Sequence, residues 1–310
     1  TGSRSPRARF EPPSCHGGLE FQPVDRKEHL SMTQRQDTET PHFQRLATDY
    51  NLYRTLDMEP ITFLADSIEG SEHSVCSIGC GTGRYIMALI EQMQSNGVNV
   101  TSAVGIDPSQ NMLVQANEIA QGVGLSMDWN LGMSDDTNLD DSSMSLITAF
   151  NSVHYFPLQE TIAEFKRIAT PSAHLAIYAR VWEQELDHIW GRHFPGYADY
   201  SIQPKRDVVM NIPNLDPGVE LVTVEDFTFR RKITFDWLTK QTQDKFYSTL
   251  GRYPDDEFAI AYDSFLEGVK SEYSDLENIE YDSSYSVFLF SLDDLDDLDD
   301  LDDLDDLDAK

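Results

Sequence analysis

Cationic side chains are scarce in this chain: 23 Lys and Arg face 54 Asp and Glu, for a formal net charge of −31 over 310 residues. The stretch from Leu292 to Lys310 holds 11 of the Asp and one Lys, yet the remainder still carries 43 acidic against 22 basic residues. A body that acidic repels phosphate backbones and displays no basic groove, so a nucleic-acid partner is not expected and a small-molecule partner is favoured. Cysteine is nearly absent. Cys15, Cys76 and Cys80 are odd in number and lack metal-ligand spacing, which argues against a disulfide framework and a metal site and suits the reducing cytoplasm. No apolar run approaches the roughly 20 residues that a membrane-spanning helix needs, and residues 1–31 lack the apolar centre of a signal peptide. No membrane partner is expected.

Residues 1–40, rich in Pro, Arg, Ser and Gly without a period, read as a disordered leader, and 41–291 as the folded domain. A helical face at Phe43, Leu46, Ala47, Tyr50, Tyr53 and Arg54 is followed by a second at Ile61, Leu64 and Ile68. Short apolar runs then alternate with helical periods. Strands are expected at 74–79, 103–107, 125–130, 145–150 and 173–179, and helices are marked by Ile86, Leu89, Ile90 and Met93, by Met112, Leu113, Ala116 and Ile119, and by Leu158, Ile162, Phe165 and Ala169. That alternation predicts an α/β fold with a Rossmann-like doubly wound, mostly parallel sheet. Residues 181–218, with Trp182, Trp190, Phe194, Tyr197 and Tyr200, read as an insertion over the sheet. Helices near 235–250 and 258–273 separate two last strands, 219–230 and 285–290, which bring the count to seven with an antiparallel C-terminal edge. The Leu-Asp-Asp repeat of 292–310 is expected to be disordered, with a protein partner for this acidic tail as the sharper reading.

The strongest chemical signal is Val75 to Arg84, a strand ending in Gly79, Cys80, Gly81, Thr82 and Gly83 and running into an amphipathic helix. Glycines at alternate positions there allow a tight turn and let a nucleotide-like ligand lie on bare backbone at a helix N-terminus. The next strand ends in Asp107, then Pro108 and the helix cap Ser109. A carboxylate at that place can accept hydrogen bonds from both ribose hydroxyls, although an acid there also suits a plain helix start.

These residues resemble the class I S-adenosylmethionine-dependent methyltransferases over about residues 43–180. The spacing Gly79-x-Gly81-x-Gly83 matches that family's first motif and not the Gly-x-Gly-x-x-Gly of dinucleotide-binding dehydrogenases. The resemblance implies S-adenosylmethionine as cofactor, Asp107 as the ribose-binding acid and Met112 near the adenine. It implies an adenine-gripping loop at Leu131-Gly132-Met133-Ser134, where Met133 stands in place of the acid many relatives carry, and a fourth strand ending at Asn151 and His154. The turn before the fifth strand departs from the family's Lys-Pro-Gly-Gly, reading Thr170-Pro171-Ser172-Ala173. The leading helix, the His154–Tyr155 pair and the insertion look like the trans-aconitate-type small-molecule subgroup, which implies that Tyr50, Tyr53 and Arg54 contact the cofactor's methionine part.

For a hydroxyl acceptor, His154 is the candidate base, because a neutral imidazole titrates near working pH; shaping the pocket by stacking is its other reading. For a carboxylate, Arg180 is the candidate clamp, against the alternative that it pairs with an acid. The insertion's aromatics either line an acceptor pocket or pack the insertion down. A non-catalytic S-adenosylmethionine sensor remains the rival, since binding and turnover use the same residues.

Overall fold

A computed structural model describes residues 55–293. The leader, the helix predicted through Tyr50, Tyr53 and Arg54, and the tail beyond Asp293 lie outside the described residues. Within them, seven strands form one sheet: β1 (Glu72–Ile78), β2 (Asn99–Asp107), β3 (Asp128–Leu131), β4 (Met144–Phe150), β5 (Ala169–Ala179), β6 (Val219–Ile233) and β7 (Ile279–Leu292). Their order is β3-β2-β1-β4-β5-β7-β6. The first five are parallel, and β7 runs antiparallel to both β5 and β6. This is the Rossmann-like doubly wound sheet that the sequence pattern predicts. Its antiparallel strand lies one place in from the edge, with β6 outermost.

The helices follow from where apolar residues recur. Helix α1 (Met58–Ser67) precedes β1, and α2 (Arg84–Ser95), α3 (Gln110–Val123) and α4 (Leu158–Ile168) connect parallel strands. In α2, Ile86, Leu89, Ile90 and Met93 are 0–1% exposed against the sheet face that also covers α1, each contributing about 1.5–3 kcal/mol of burial. Helix α4 lays Ile162, Phe165 and Ile168 on the opposite face. It stops at Ile168, one residue before the last position of its sequence period, because Ala169 already pairs with Met144 as the first residue of β5. Ser109 caps α3 by accepting from the Met112 N–H, and Gly124 ends that helix at φ 75°, a left-handed position that glycine takes without strain.

Beyond β5 come short helices α5 (Trp182–Asp187), α6 (Ile189–His193), α7 (Tyr197–Tyr200) and α8 (Arg206–Met210), then α9 (Phe235–Gln243), α10 (Ser248–Gly251) and α11 (Asp255–Glu272). The single helix predicted over 235–250 is two, separated by Lys245 at φ 49°. Trp190, Phe194 and Tyr197 pack with Leu238, Leu250 and Phe265 into a third apolar cluster, a cap joined to the first half of β7 through Ile279 and Tyr281. No helix among the described residues is long and apolar enough to cross a membrane.

Candidate active site

The strand order reverses between β1 and β4, and a doubly wound sheet opens a crevice at the carboxyl ends of its strands at such a switch point. The loop after β1 enters that crevice with Gly79, Gly81 and Gly83 at φ 64°, 56° and 73°. All three need the left-handed conformation, but their surroundings differ. A Cβ on Gly79 would stand 2.6 Å from the Cβ of Ser152, the residue whose hydroxyl ties the end of β4 to the Ile78 carbonyl. A Cβ on Gly83 would stand 2.3 Å from the Trp129 indole, and the same ring presses on Gly105, its register partner in β2. A Cβ on Gly81, alone of the three, would have nothing within 4 Å among the described residues. The open face of the loop is at Gly81, while Gly79 and Gly83 are required by packing beneath it.

A test separates these roles. Gly83→Ala is expected to cost about 2–3 kcal/mol, from the indole clash together with the left-handed backbone. Gly81→Ala should cost only the backbone part, about 1 kcal/mol. Denaturant titration of the two variants reads the difference, and equal losses would show that the indole does not impose Gly83.

Parallel pairing of Ile78 with Ile106 brings Asp107 beside this loop. One carboxylate oxygen accepts from the Gly81 N–H and the other from the Ser109 N–H, both at 2.8 Å. The acid therefore fastens the glycine loop to the start of α3, and each oxygen keeps a further lone pair for a ligand donor. Burial pushes its pKa up from the ordinary carboxylate value to about 6, and the two N–H groups hold it from rising further. Burial and the neighbouring Asp107 charge also raise the Cys80 thiol well above its usual value, so Cys80 contributes backbone and bulk, not a thiolate.

The loop after β3 closes the far side. The Gly132 N–H lies 3.4 Å from the Asp107 carbonyl, Met133 bridges Asp136, and the buried Ser134 hydroxyl bonds Thr161 at 2.9 Å. Pro108 and Met133 are half-buried and Met112 is buried. From β4, Asn151 sits at φ 53°, a strained value for a residue with a side chain, and its amide donates to the Tyr85 hydroxyl at 3.4 Å.

Tyr85, two residues past Gly83, is also a wall of a cavity of about 110 Å³ at the end of β6 and the start of β7. Trp237, Tyr247, Tyr281 and Tyr285 supply further rings, with Ser283, Arg231 and Lys232 as polar members. Arg180, at the end of β5, stands behind this wall. It is 4% exposed, pairs with the buried Glu185 at 3.1 Å, and donates to Ser283 Oγ at 2.9 Å and Tyr285 Oη at 2.7 Å.

Residues 75–172 match the family model of a methyltransferase domain. Over those residues the chain carries a methyltransferase domain. In fold it is similar to the YcgJ protein of Bacillus subtilis, at 13% identity and TM-score 0.53 over 76% of this chain and 99% of that one. It is similar as well to a provisional methyltransferase of Bacillus halodurans C-125, at 15% identity and TM-score 0.50 over 77% and 99%. None of the curated proteins matches the chain in sequence.

In this methyltransferase domain the predicted positions Gly79, Cys80, Gly81, Gly83, Asp107, Pro108, Met112, Met133, Ser134 and Asn151 converge on the ends of β1 to β4. His154 lies on a single 3₁₀ turn after β4, half-buried, its ring 4.0 Å from that of Tyr155, and it does not line the 110 Å³ cavity. Arg180 faces a buried acid, not the cavity interior. Trp182, Trp190, Tyr197 and Tyr200 do not line the cavity; its rings come from α2, α9, β7 and the Tyr247 turn. Sequence reading passes over Ser152, Trp129, Ser283 and Tyr285. Of these, Trp129 alone leaves a local signal: a large ring in a short strand whose register partner is a glycine.

Proposed function

We propose that the methyltransferase domain moves a methyl group from S-adenosylmethionine to an oxygen of a small molecule, a hydroxyl or a carboxylate. The observation that carries this reading is the clear space above Gly81 beside the Asp107 carboxylate, at the switch point of the sheet. In it Asp107 takes the ribose hydroxyls, the loop from Gly79 to Gly83 lies against the cofactor, Pro108, Met112, Met133 and Ser134 surround the adenine, and Asn151 with Tyr50 and Arg54 meets the methionine part. Bound there, S-adenosylmethionine supplies a sulfonium methyl open to in-line displacement. The protein's task is then to align the acceptor oxygen and keep water out. The cavity beside Tyr85 is the acceptor site, and the acidity of the body favours a small molecule over a nucleic acid. His154 is the base if the acceptor is a hydroxyl. For a carboxylate no proton has to be removed, and the absence of His154 from the cavity wall favours that case.

Incubating the protein with methyl-labelled S-adenosylmethionine and cell extract should transfer label to a small molecule. Retention of all label on the cofactor, with tight binding, would instead leave a non-catalytic binder.

A pH dependence follows from Asp107. The cofactor's ribose hydroxyls donate to an ionised carboxylate, so binding requires loss of the proton that the group holds below about pH 6. Affinity should fall about tenfold between pH 7 and pH 5. Its folded pKa is raised, so the ligand-free fold gains from this group as pH falls from about 6 towards the ordinary value. Calorimetric titration at the two pH values, with melting curves alongside, separates weakened binding from acid unfolding. An affinity that stays flat across this range would count against Asp107 as the ribose acceptor.

A further inference from the structure

The chain carries more than twice as many acidic as basic residues, yet among the described residues the cavity beside Tyr85 is lined by Lys232 and Arg231, the latter ion-paired with the buried Asp57, and by no Asp or Glu. Its neutral polar members have a definite direction as well. A single buried guanidinium nitrogen of Arg180 donates to both Ser283 Oγ, at 2.9 Å, and Tyr285 Oη, at 2.7 Å. Each hydroxyl thus already accepts, and its own hydrogen is turned elsewhere. Both residues line the cavity. The Tyr285 ring is fixed by stacking on Tyr178 at 5.1 Å and by the Arg180 guanidinium 4.6 Å over its face. Ser283 is 2% exposed, and the Glu185 that holds Arg180 is 3% exposed. Two preset O–H donors in a wall of aromatic rings, with Lys232 exposed at the rim, form a site for an oxyanion on a flat body. An aromatic cage for a cation needs acids or bare ring faces, and the Lys232 ammonium at the rim opposes it.

We propose that this cavity selects a small planar carboxylate, its anionic end held by the Ser283 and Tyr285 hydroxyls and its body between the rings. The proposal rests on the methyl-transfer reading only in naming this ligand the acceptor. Arg180 is then a positioning residue: it orients the two donors from behind without meeting the ligand. The volume of about 110 Å³ limits the ligand body to no more than one ring, since buried cavities on the order of 150 Å³ take up benzene.

Calorimetric titration of the full chain, with and without S-adenosylhomocysteine, tests this with three ring-sized probes: benzoate, benzamide and benzyltrimethylammonium. Benzoate is expected to bind at least tenfold more tightly than benzamide, and the cation most weakly. Tyr285→Phe, which keeps the ring, and Lys232→Gln, at an exposed position, should each weaken benzoate about fivefold or more, leave benzamide nearly unchanged and leave the melting temperature near that of the parent. Equal binding of benzoate and benzamide, preference for the cation, no benzoate binding at millimolar concentration, or an unchanged benzoate affinity in Tyr285→Phe would each overturn the proposal. A protein that shows the expected order but never releases labelled methyl defeats the methyl-transfer reading alone; one that methylates yet prefers the cation defeats this one alone.

Discussion

Gly81→Val should lower S-adenosylmethionine affinity at least a hundredfold while the protein still folds. A Cβ at this position has no neighbour within 4 Å among the described residues, so the valine side chain enters open space beside Asp107. A β-branched residue at φ 56° costs about 1–2 kcal/mol of backbone strain, which a domain of ordinary stability survives. The loss of binding is larger because the ligand must approach the backbone where the side chain now stands. A melting temperature a few degrees lower, together with no detectable heat in a titration with S-adenosylhomocysteine, is the expected pair of results. Near-parent affinity in a folded Gly81→Val protein would move the cofactor away from this loop. Asp107→Ala complements it: that change removes the ligand acceptor and also leaves the Gly81 and Ser109 N–H groups without their partner, so it should weaken binding and fold together.

Arg180→Met should cost about 3–5 kcal/mol of stability, because it leaves the Glu185 carboxylate buried beside Tyr197 and Thr249 without its cation. For a domain of this size that lowers the melting temperature by about 10 °C or more. The double variant Arg180→Met, Glu185→Leu should recover most of the loss, since a buried ion pair exchanged for apolar residues of similar volume is often near neutral. If the single variant melted like the parent, the network joining the end of β5 to the cap would be far weaker than its burial and distances imply.

The parts of the site that were legible in the sequence are those built by neighbours in a parallel βα series. The glycines and Asp107 end adjacent strands, so the alternation of apolar runs with helical periods is enough to set them side by side. Asn151 follows in the same way from the end of β4. The cavity was not legible, because its wall combines Tyr85 with residues some two hundred positions later, on β7. Only the pairing of β7 with β5 and β6 brings them together, and nothing local announces that the last strand enters between two others. The first half of β7 hides further, since Glu280, Asp282 and Ser284 alternate with its inward residues and read as polar chain. Arg180 was visible as a lone cation after β5. Its partner five residues on, in the insertion, was not, because buried charge pairing is decided by how α5 folds back, not by spacing.

The place of β7 also constrains how the chain can fold during its synthesis. Chains emerge N-terminus first, so β1 to β5 are available early. The sheet beyond β5 cannot close until Leu292 has left the ribosome, because among the described strands β6 bonds only to β7 and depends on it to join the sheet. Until then the backbone edges of β5 and β6 that pair with β7 have no partner there. The nascent protein therefore passes through a stage with half a sheet and an open edge, the stage at which a chaperone is most needed.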